Sequence, residues 1–409
     1  MGSRLGSAGA GAMRLKLVAA LSLSLLLAGC AATPSLFAVP GIAAFALRDR
    51  PSEPIEIAEN GTGPGSIVSA ETMPNLPWSV TRSGLNAARV VYRSVGDVEV
   101  SGSMFTPTGD APDGGWPVIS FGHGTTGIDE ACGPSLSSDL LGVAPLVAGY
   151  TAAGFAVAIT DYEGLGHPGV HPYLDNIAAG YNMIDAVRAL GHVFPNVSSR
   201  WVAFGGSQGG GAAWAANEQA GYAPELEMLG SVSLAPGANM AGLVDKAQRG
   251  TLTADQAPLL QWVLESLSRK LPGLDLDLYR SGNVAADWDA LSACTPDGAS
   301  ARSEAAKRIG PTDLAPKTED AAGLLRYFLD EMSVPQQGAT APMLVVYGDA
   351  DTYIDAVWTD EAVRRACALG DTVAIDRQPG KGHGDVDGTA VNHWIGERFA
   401  DEPAVDDCK

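Results

Sequence analysis

The residues best placed for chemistry lie in Trp201-Val-Ala-Phe-Gly-Gly-Ser207-Gln-Gly-Gly. An apolar strand runs into a glycine-crowded turn with a serine at its apex, and Gly211-Ala-Ala-Trp-Ala-Ala beyond it is a run of good helix formers. Gly205-x-Ser207-x-Gly209 is therefore a serine presented on a sharp strand-to-helix turn, where neighbouring glycines leave room for backbone to approach backbone. Serine is a poor nucleophile at neutral pH. It needs a base within hydrogen-bond reach and a carboxylate to fix that base's tautomer.

Partners in the chain order Ser, acid, His, each after a strand, meet that need. Met343-Leu-Val-Val-Tyr-Gly348 leads into Asp349-Ala-Asp351-Thr-Tyr-Ile-Asp355, and the strand at 372–376 leads into Gly380-Lys-Gly-His383-Gly-Asp385. Of the 6 histidines, His383 alone follows the last strand in a glycine-rich loop able to reach back to Ser207. Asp351, three residues past the strand-end glycine, is the expected acid, with Asp349 as its rival. Asp355 fits a helix N-cap better. An acyl-transfer site also needs two backbone N–H groups aimed at the oxyanion. One is expected from Gln208, the residue after the serine. The other is expected from His123-Gly-Thr125-Thr-Gly, through Thr125 with Gly124 as alternate, while His123 braces the loop.

Metal chemistry is not expected. The Asp-rich run after residue 348 has Ile354 where a calcium loop needs glycine. His167-Pro-Gly-Val-His171 has i, i+4 spacing, but its prolines and glycine forbid the helix that would bring the rings together. The cysteines are too dispersed for a zinc site. Trp262 reads as core rather than substrate contact.

The elements that must carry these residues follow a clear rhythm. Residues 88–95 and 98–105 alternate around Gly96-Asp97, a hairpin signal. Trp116–Phe121, Phe155–Thr160, the stretch before Ser207, Leu229–Leu234, Met343–Tyr347 and Thr372–Asp376 are apolar without alternation. Helical spacing falls between them at 140–153, 176–190, 355–369 and 391–399, with Ile177, Tyr181, Ile184, Val187 and Leu190 on one face of the second. Such strands imply a parallel sheet buried on both faces. From 236 to 335 helices continue without a convincing strand, as a cap would.

Of 409 residues, 46% are hydrophobic and 18% charged, enough for one large domain with an insertion. The net charge of −21 argues against nucleic acid as a partner. Arg14 and Lys16 precede an apolar run too short to span a membrane, which reads as a signal peptide at 1–29. It ends in Leu27-Ala-Gly-Cys30, which resembles a bacterial lipobox. That resemblance implies lipidation of Cys30 and an exported, membrane-anchored cell-envelope lipoprotein. The expected layout is a tether and irregular cover at 30–87, core at 88–235, cap at 236–335 and core again at 336–409. Cys132, Cys294, Cys367 and Cys408 remain of the 5 cysteines and suggest two disulfides, with three possible connectivities. The favoured set is Cys132–Cys294 and Cys367–Cys408, the second stapling a polar C-terminal tail.

Gly115-Trp-Pro-Val-Ile-Ser-Phe-Gly-His-Gly-Thr-Thr-Gly127, Asp161-Tyr-Glu-Gly-Leu-Gly166, Gly205-Gly-Ser-Gln-Gly209 and Gly348-Asp-Ala-Asp351 together resemble the secretory lipase family. The resemblance is strong at these motifs and weak across 236–335. It implies the α/β-hydrolase fold, a mostly parallel central sheet flanked by helices, with a helical cap inserted between two late strands. It implies Ser207, Asp351 and His383 as a triad, small-molecule or lipid carboxylic esters as substrates, and no cofactor. A Cys132–Cys294 bond tying the cap to the oxyanion loop fits that family's pattern too. Asp161 and Glu163 are then structural, and Gly206 leaves the shape of the acyl pocket open. Other readings are a peptidase on the same fold, although no propeller or amine anchor is visible, and a catalytically silent envelope-binding lipoprotein.

Overall fold

The computed structural model describes residues 50–82, 84–294 and 298–409. The signal peptide and Cys30 lie outside the described residues. Nine strands form one sheet in the order β1-β2-β3-β5-β4-β6-β7-β8-β9. They are β1 (Ile67–Thr72), β2 (Leu85–Ser94), β3 (Val98–Pro107), β4 (Trp116–Gly122), β5 (Ala156–Thr160), β6 (Val197–Gly206), β7 (Glu227–Leu234), β8 (Met343–Gly348) and β9 (Val373–Gln378). β1, β2, β3 and β5 pair antiparallel in turn, and every pair from β5 through β4 to β9 is parallel.

The lack of alternation in the central strands has its cause in two covered faces. Trp201 and Ala203 of β6 pack on one side with Met183 and Leu190 of the helix Asn176–Val193, together with Ala212 and Ala216 of the helix Gln208–Glu218. Val202 and Phe204 point the other way, onto Leu146 and Val147 of Ala144–Ala152 and Trp394 and Ile395 of Thr389–Phe399. Successive side chains of a strand must face opposite sides, so both have to be apolar.

Between β7 and β8 the described residues form helices and no strand. Gly242–Arg249, Gln256–Lys270 and Glu319–Glu331 are the main ones, and Leu243, Leu260, Val263, Leu264, Leu325 and Leu329 give them a core of their own.

Three local expectations change. The stretch read as irregular cover contains β1, whose Ala70 and Glu71 pair with Val90 and Arg89, and β2 already begins at Leu85. The helix expected from 140 starts at Ala144, because Leu140 and Leu141 take positive φ of 55° and 49°. On the helix Asn176–Val193, Ile177 and Tyr181 are half-buried at the edge. The fully covered stripe includes the small residues Ala179 and Gly180, and a Cβ at Gly180 would lie 2.8 Å from the Ala215 carbonyl carbon. Ile184, Val187 and Leu190 of the expected face are buried in the core, and close helix packing adds small residues to that stripe which a search for large apolar side chains passes over.

The disulfides are Cys132–Cys294 and Cys367–Cys408. The second holds the tail along the open edge of β9, where the Asp407 N–H donates to Val373 O at 2.8 Å and the Ile375 N–H to Asp407 Oδ2 at 2.9 Å. Covering an edge strand in this way blocks pairing with another chain.

The turn around Ser207 is packed backbone to backbone. A Cβ on Gly209 would stand 1.9 Å from Gly122 O, whereas one on Gly206 would meet nothing nearer than 3.9 Å. Gly209→Ala is therefore expected to destabilise the protein by at least about 3 kcal/mol, the upper range of overpacking costs. Gly206→Ala should be neutral or stabilising by up to about 1 kcal/mol. Urea unfolding of the two variants side by side checks this contrast. Equal midpoints would mean that the strand-to-helix packing is not as tight as described.

Candidate active site

The parallel strands end at one edge of the sheet, and their loops converge there. Gly122 of β4 lies in register with Gly205 of β6, and Gly348 of β8 with Gln378 of β9. Open parallel sheets bind ligands at such carboxyl ends, close to where the strand order reverses. Here that reversal is at β4, which lies between β5 and β6.

Ser207 follows β6 with φ 58° and ψ −119°. A non-glycine residue held there costs about 1–3 kcal/mol and persists only where its surroundings enforce it. The enforcement is visible. The Ser207 N–H donates to Leu234 O at 2.8 Å, and Ser207 O accepts from the N–H groups of Gly210 at 3.0 Å and Gly237 at 2.9 Å. The side chain is thereby pushed out at the N-terminus of the eleven-residue helix Gln208–Glu218.

His383 lies in the loop after β9, with its Nε2 2.9 Å from Ser207 Oγ and its Nδ1 2.7 Å from Asp351 Oδ2. The carboxylate only accepts, so Nδ1 carries a proton and Nε2 of the neutral ring is free to accept from the serine. Asp351 Oδ1 takes the N–H groups of Tyr353 at 2.8 Å and Ile354 at 3.0 Å, which aims the other oxygen at the imidazole. The Asp351 side chain is 2% exposed and that of His383 9% exposed. The Tyr353 ring covers His383 with centroids 4.8 Å apart.

The other acids are used elsewhere. Asp349 is exposed, and its Oδ1 accepts from the Gly380 N–H at 2.6 Å, closing the turn after β9. Asp355 occupies the N-cap position of Ala356–Leu369 but makes no side-chain cap bond. It instead accepts from Lys246 Nζ at 2.9 and 2.8 Å and from Gln256 Nε2 at 2.7 Å. Two helices of the inserted segment are thus fastened to the loop that bears Asp351.

Gln208 opens the helix behind Ser207, so its N–H belongs to the first turn, whose donors have no carbonyl within the helix. Thr125 stands exposed three residues past β4, its Oγ1 2.8 Å from the Tyr173 hydroxyl. His123, beside it, is buried with Nδ1 2.6 Å from Gly124 O and Nε2 3.2 Å from Asp161 O. Burial pushes its pKa down. Asp161 accepts from Ser101 Oγ at 2.6 Å and from the Ser135 N–H at 2.9 Å, fixing the adjacent loop.

His167 and His171 go to separate partners. His167 Nε2 pairs with Glu99 Oε2 at 3.1 Å. His171 is buried, with Nδ1 2.9 Å from Glu163 O and Nε2 3.1 Å from Gln208 Nε2. Trp262 is buried and donates from Nε1 to Leu291 O at 2.9 Å. Among the described residues Asp129, Cys132 and Cys294 form a grouping of metal-binding types, but both sulfurs are committed to the disulfide.

A sequence model of the secretory lipase family matches residues 136–407, a range that contains Ser207, Asp351 and His383. The chain belongs to the secretory lipase family. It is 24% identical over 367 residues to a probable inactive lipase of Mycobacterium tuberculosis, covering 84% of this chain and 80% of that one. In fold it is similar to the closed state of Candida antarctica lipase A, with a TM-score of 0.67, 16% identity and 84% of each chain covered. It is also similar to a rice cell wall degrading esterase of Xanthomonas oryzae, with a TM-score of 0.63, 17% identity, and 83% and 97% of the two chains covered. The fold is that of the α/β-hydrolases, as this family's members and these neighbours have it. In the family's terms, the loop bearing Thr125 precedes the matched range, and the inserted helices lie inside it.

Proposed function

We propose that this secretory lipase family member is a serine carboxylic-ester hydrolase working through an acyl-enzyme. The observation that carries the reading is the continuous hydrogen-bonded line Ser207 Oγ–His383 Nε2 and His383 Nδ1–Asp351 Oδ2. As Ser207 Oγ attacks the ester carbonyl, its proton passes to His383 Nε2, and Asp351 stabilises the imidazolium. The carbonyl oxygen becomes an oxyanion held by the N–H groups of Gln208 and Thr125, with Gly124 as alternate to Thr125. The tetrahedral intermediate collapses, the C–O bond to the alcohol breaks, and His383 gives the proton to the leaving oxygen. Water then attacks the acyl-enzyme with the same groups in the same roles, releasing acid and restoring Ser207. No step calls on a metal or a cofactor.

The substrates are small-molecule or lipid esters, and the helices at 236–335 act as a cap over the site. Two disulfides fit an exported protein. Attachment to a bacterial envelope membrane through lipid on Cys30 completes the reading of location.

The relative from Mycobacterium tuberculosis is named as a probable inactive lipase. That name supports a second reading, a silent member that keeps the fold as a binding module. Incubation with a fluorophosphonate probe followed by peptide mass mapping separates the two. The expected result is one adduct on Ser207, formed within minutes and absent after thermal unfolding. An unlabelled native protein would favour the silent module. Matched ester and amide substrates separate an esterase from a peptidase, with the ester expected to be cleaved and the amide not.

A further inference from the structure

The two proposed oxyanion donors come from different loops, yet their side chains are held by one short segment. His171 Nδ1 faces the Glu163 carbonyl, which only accepts, so the ring proton is on Nδ1 and Nε2 accepts from the Gln208 side-chain amide. Burial drives the His171 pKa down to about 3, which keeps this tautomer neutral at working pH. Two residues on, the Tyr173 hydroxyl meets Thr125 Oγ1 at 2.8 Å. Burial raises the pKa of that hydroxyl to about 12, so it stays protonated.

The segment is gripped in turn by the inserted helix Gln256–Lys270. Ser266 Oγ donates to His171 O at 2.5 Å and accepts from the Tyr173 N–H at 2.9 Å. Trp262, one turn earlier, meets the Tyr173 ring edge-on with centroids 5.9 Å apart. Arg269 reaches beyond Thr125 on the same loop, donating to Ile128 O at 3.0 Å and Asp129 Oδ1 at 2.7 Å. On the other side Tyr162 stacks on His171 at 6.1 Å and donates its hydroxyl to His123 O at 3.0 Å. Each of these side chains is committed to backbone or to another side chain.

We propose that His171 and Tyr173 are positioning residues that set the Gln208 and Thr125 donors against the helix Gln256–Lys270. The inference rests on the hydrolase reading above. Seating of that helix then fixes the aim of both donors at once, and a shift of the helix disturbs the transition state before it disturbs substrate binding. Removing a whole oxyanion donor lowers kcat about 10²–10³-fold. Loosening one that remains present should cost less, roughly tenfold by the same scale.

The test is a double-mutant cycle on the Tyr173–Thr125 bond, with Ser266→Ala as a probe of the grip. Tyr173→Phe removes one hydroxyl, and Thr125→Val removes its partner while keeping the backbone N–H. Each is expected to lower kcat and the fluorophosphonate labelling rate about tenfold, with KM moving less than twofold. The double variant should fall no further than either single, because both remove one bond. Ser266→Ala, which touches neither donor, should lower kcat at least threefold with KM unmoved. Urea midpoints identify any variant that has lost its fold, and Tyr173→Phe is the mildest change of the set. A wild-type kcat in Tyr173→Phe, additive losses in the double variant, or a loss confined to KM would overturn the positioning role and leave the hydrolase reading intact. A native protein that neither cleaves esters nor labels would overturn both.

Discussion

Replacing Ser207 with alanine is expected to lower kcat for a short p-nitrophenyl ester by about 10⁶-fold, the scale seen when an acyl-enzyme loses its nucleophile. The change deletes one oxygen whose partner here is His383 Nε2 at 2.9 Å. The hydrogen bonds that enforce the turn at 207 run through its backbone, so alanine keeps them. The urea midpoint is accordingly expected to stay within about 0.5 kcal/mol of the parent, as for substitutions that break no packing. The pairing of a vanished rate with an unchanged midpoint is the informative result. A variant retaining even a tenth of the parent activity would remove Ser207 from the reaction.

The second large effect is expected at Asp351. Asp351→Asn keeps an oxygen for the Tyr353 and Ile354 N–H groups. It then presents an NH₂ to His383 Nδ1, which favours the tautomer with its proton on Nε2, where it cannot accept from serine. In serine hydrolases built this way the corresponding change lowers kcat about 10⁴-fold. Asp349→Asn supplies the comparison, because the Asp349 carboxylate serves only the turn after β9, through the Gly380 N–H. Its kcat is expected within about threefold of the parent, a shift of under 1 kcal/mol. Equal losses at the two positions would mean that the acid is not discriminated by the geometry described.

The serine and two acids were legible because each follows a strand whose apolar run stops at a glycine, and the histidine because it sits in a glycine-rich loop after the last strand. What remained open between Asp349 and Asp351 was a matter of turn geometry. The Tyr353 and Ile354 N–H groups that draw Asp351 inward are set by backbone angles, which residue types two and three places away do not reveal. Asp355 shows the limit from the other side. Its position is that of an N-cap, but Lys246 and Gln256, more than ninety residues earlier, take its carboxylate. Tertiary pairing hid His171 as well. Its spacing from His167 invites a metal reading, while its partners Glu163 and Gln208 meet only once β6 and the Asp161 loop converge. β1 was missed because only six residues of it lie in a stretch broken by proline and glycine, and pairing with β2 rather than local propensity makes it a strand.

The Cys132–Cys294 bond also has a consequence for the chain before it folds. It joins residues 162 apart and so closes a covalent ring that contains Ser207 but leaves Asp351 and His383 outside. In the loop-entropy view a ring of that size removes about 5 kcal/mol of freedom from the unfolded ensemble at 25 °C. That contribution exists only where thiols oxidise. Made in a reducing compartment, the same polypeptide must fold against the full entropy of an open chain, so the redox state of the place where it folds belongs to its stability as much as any packed side chain does.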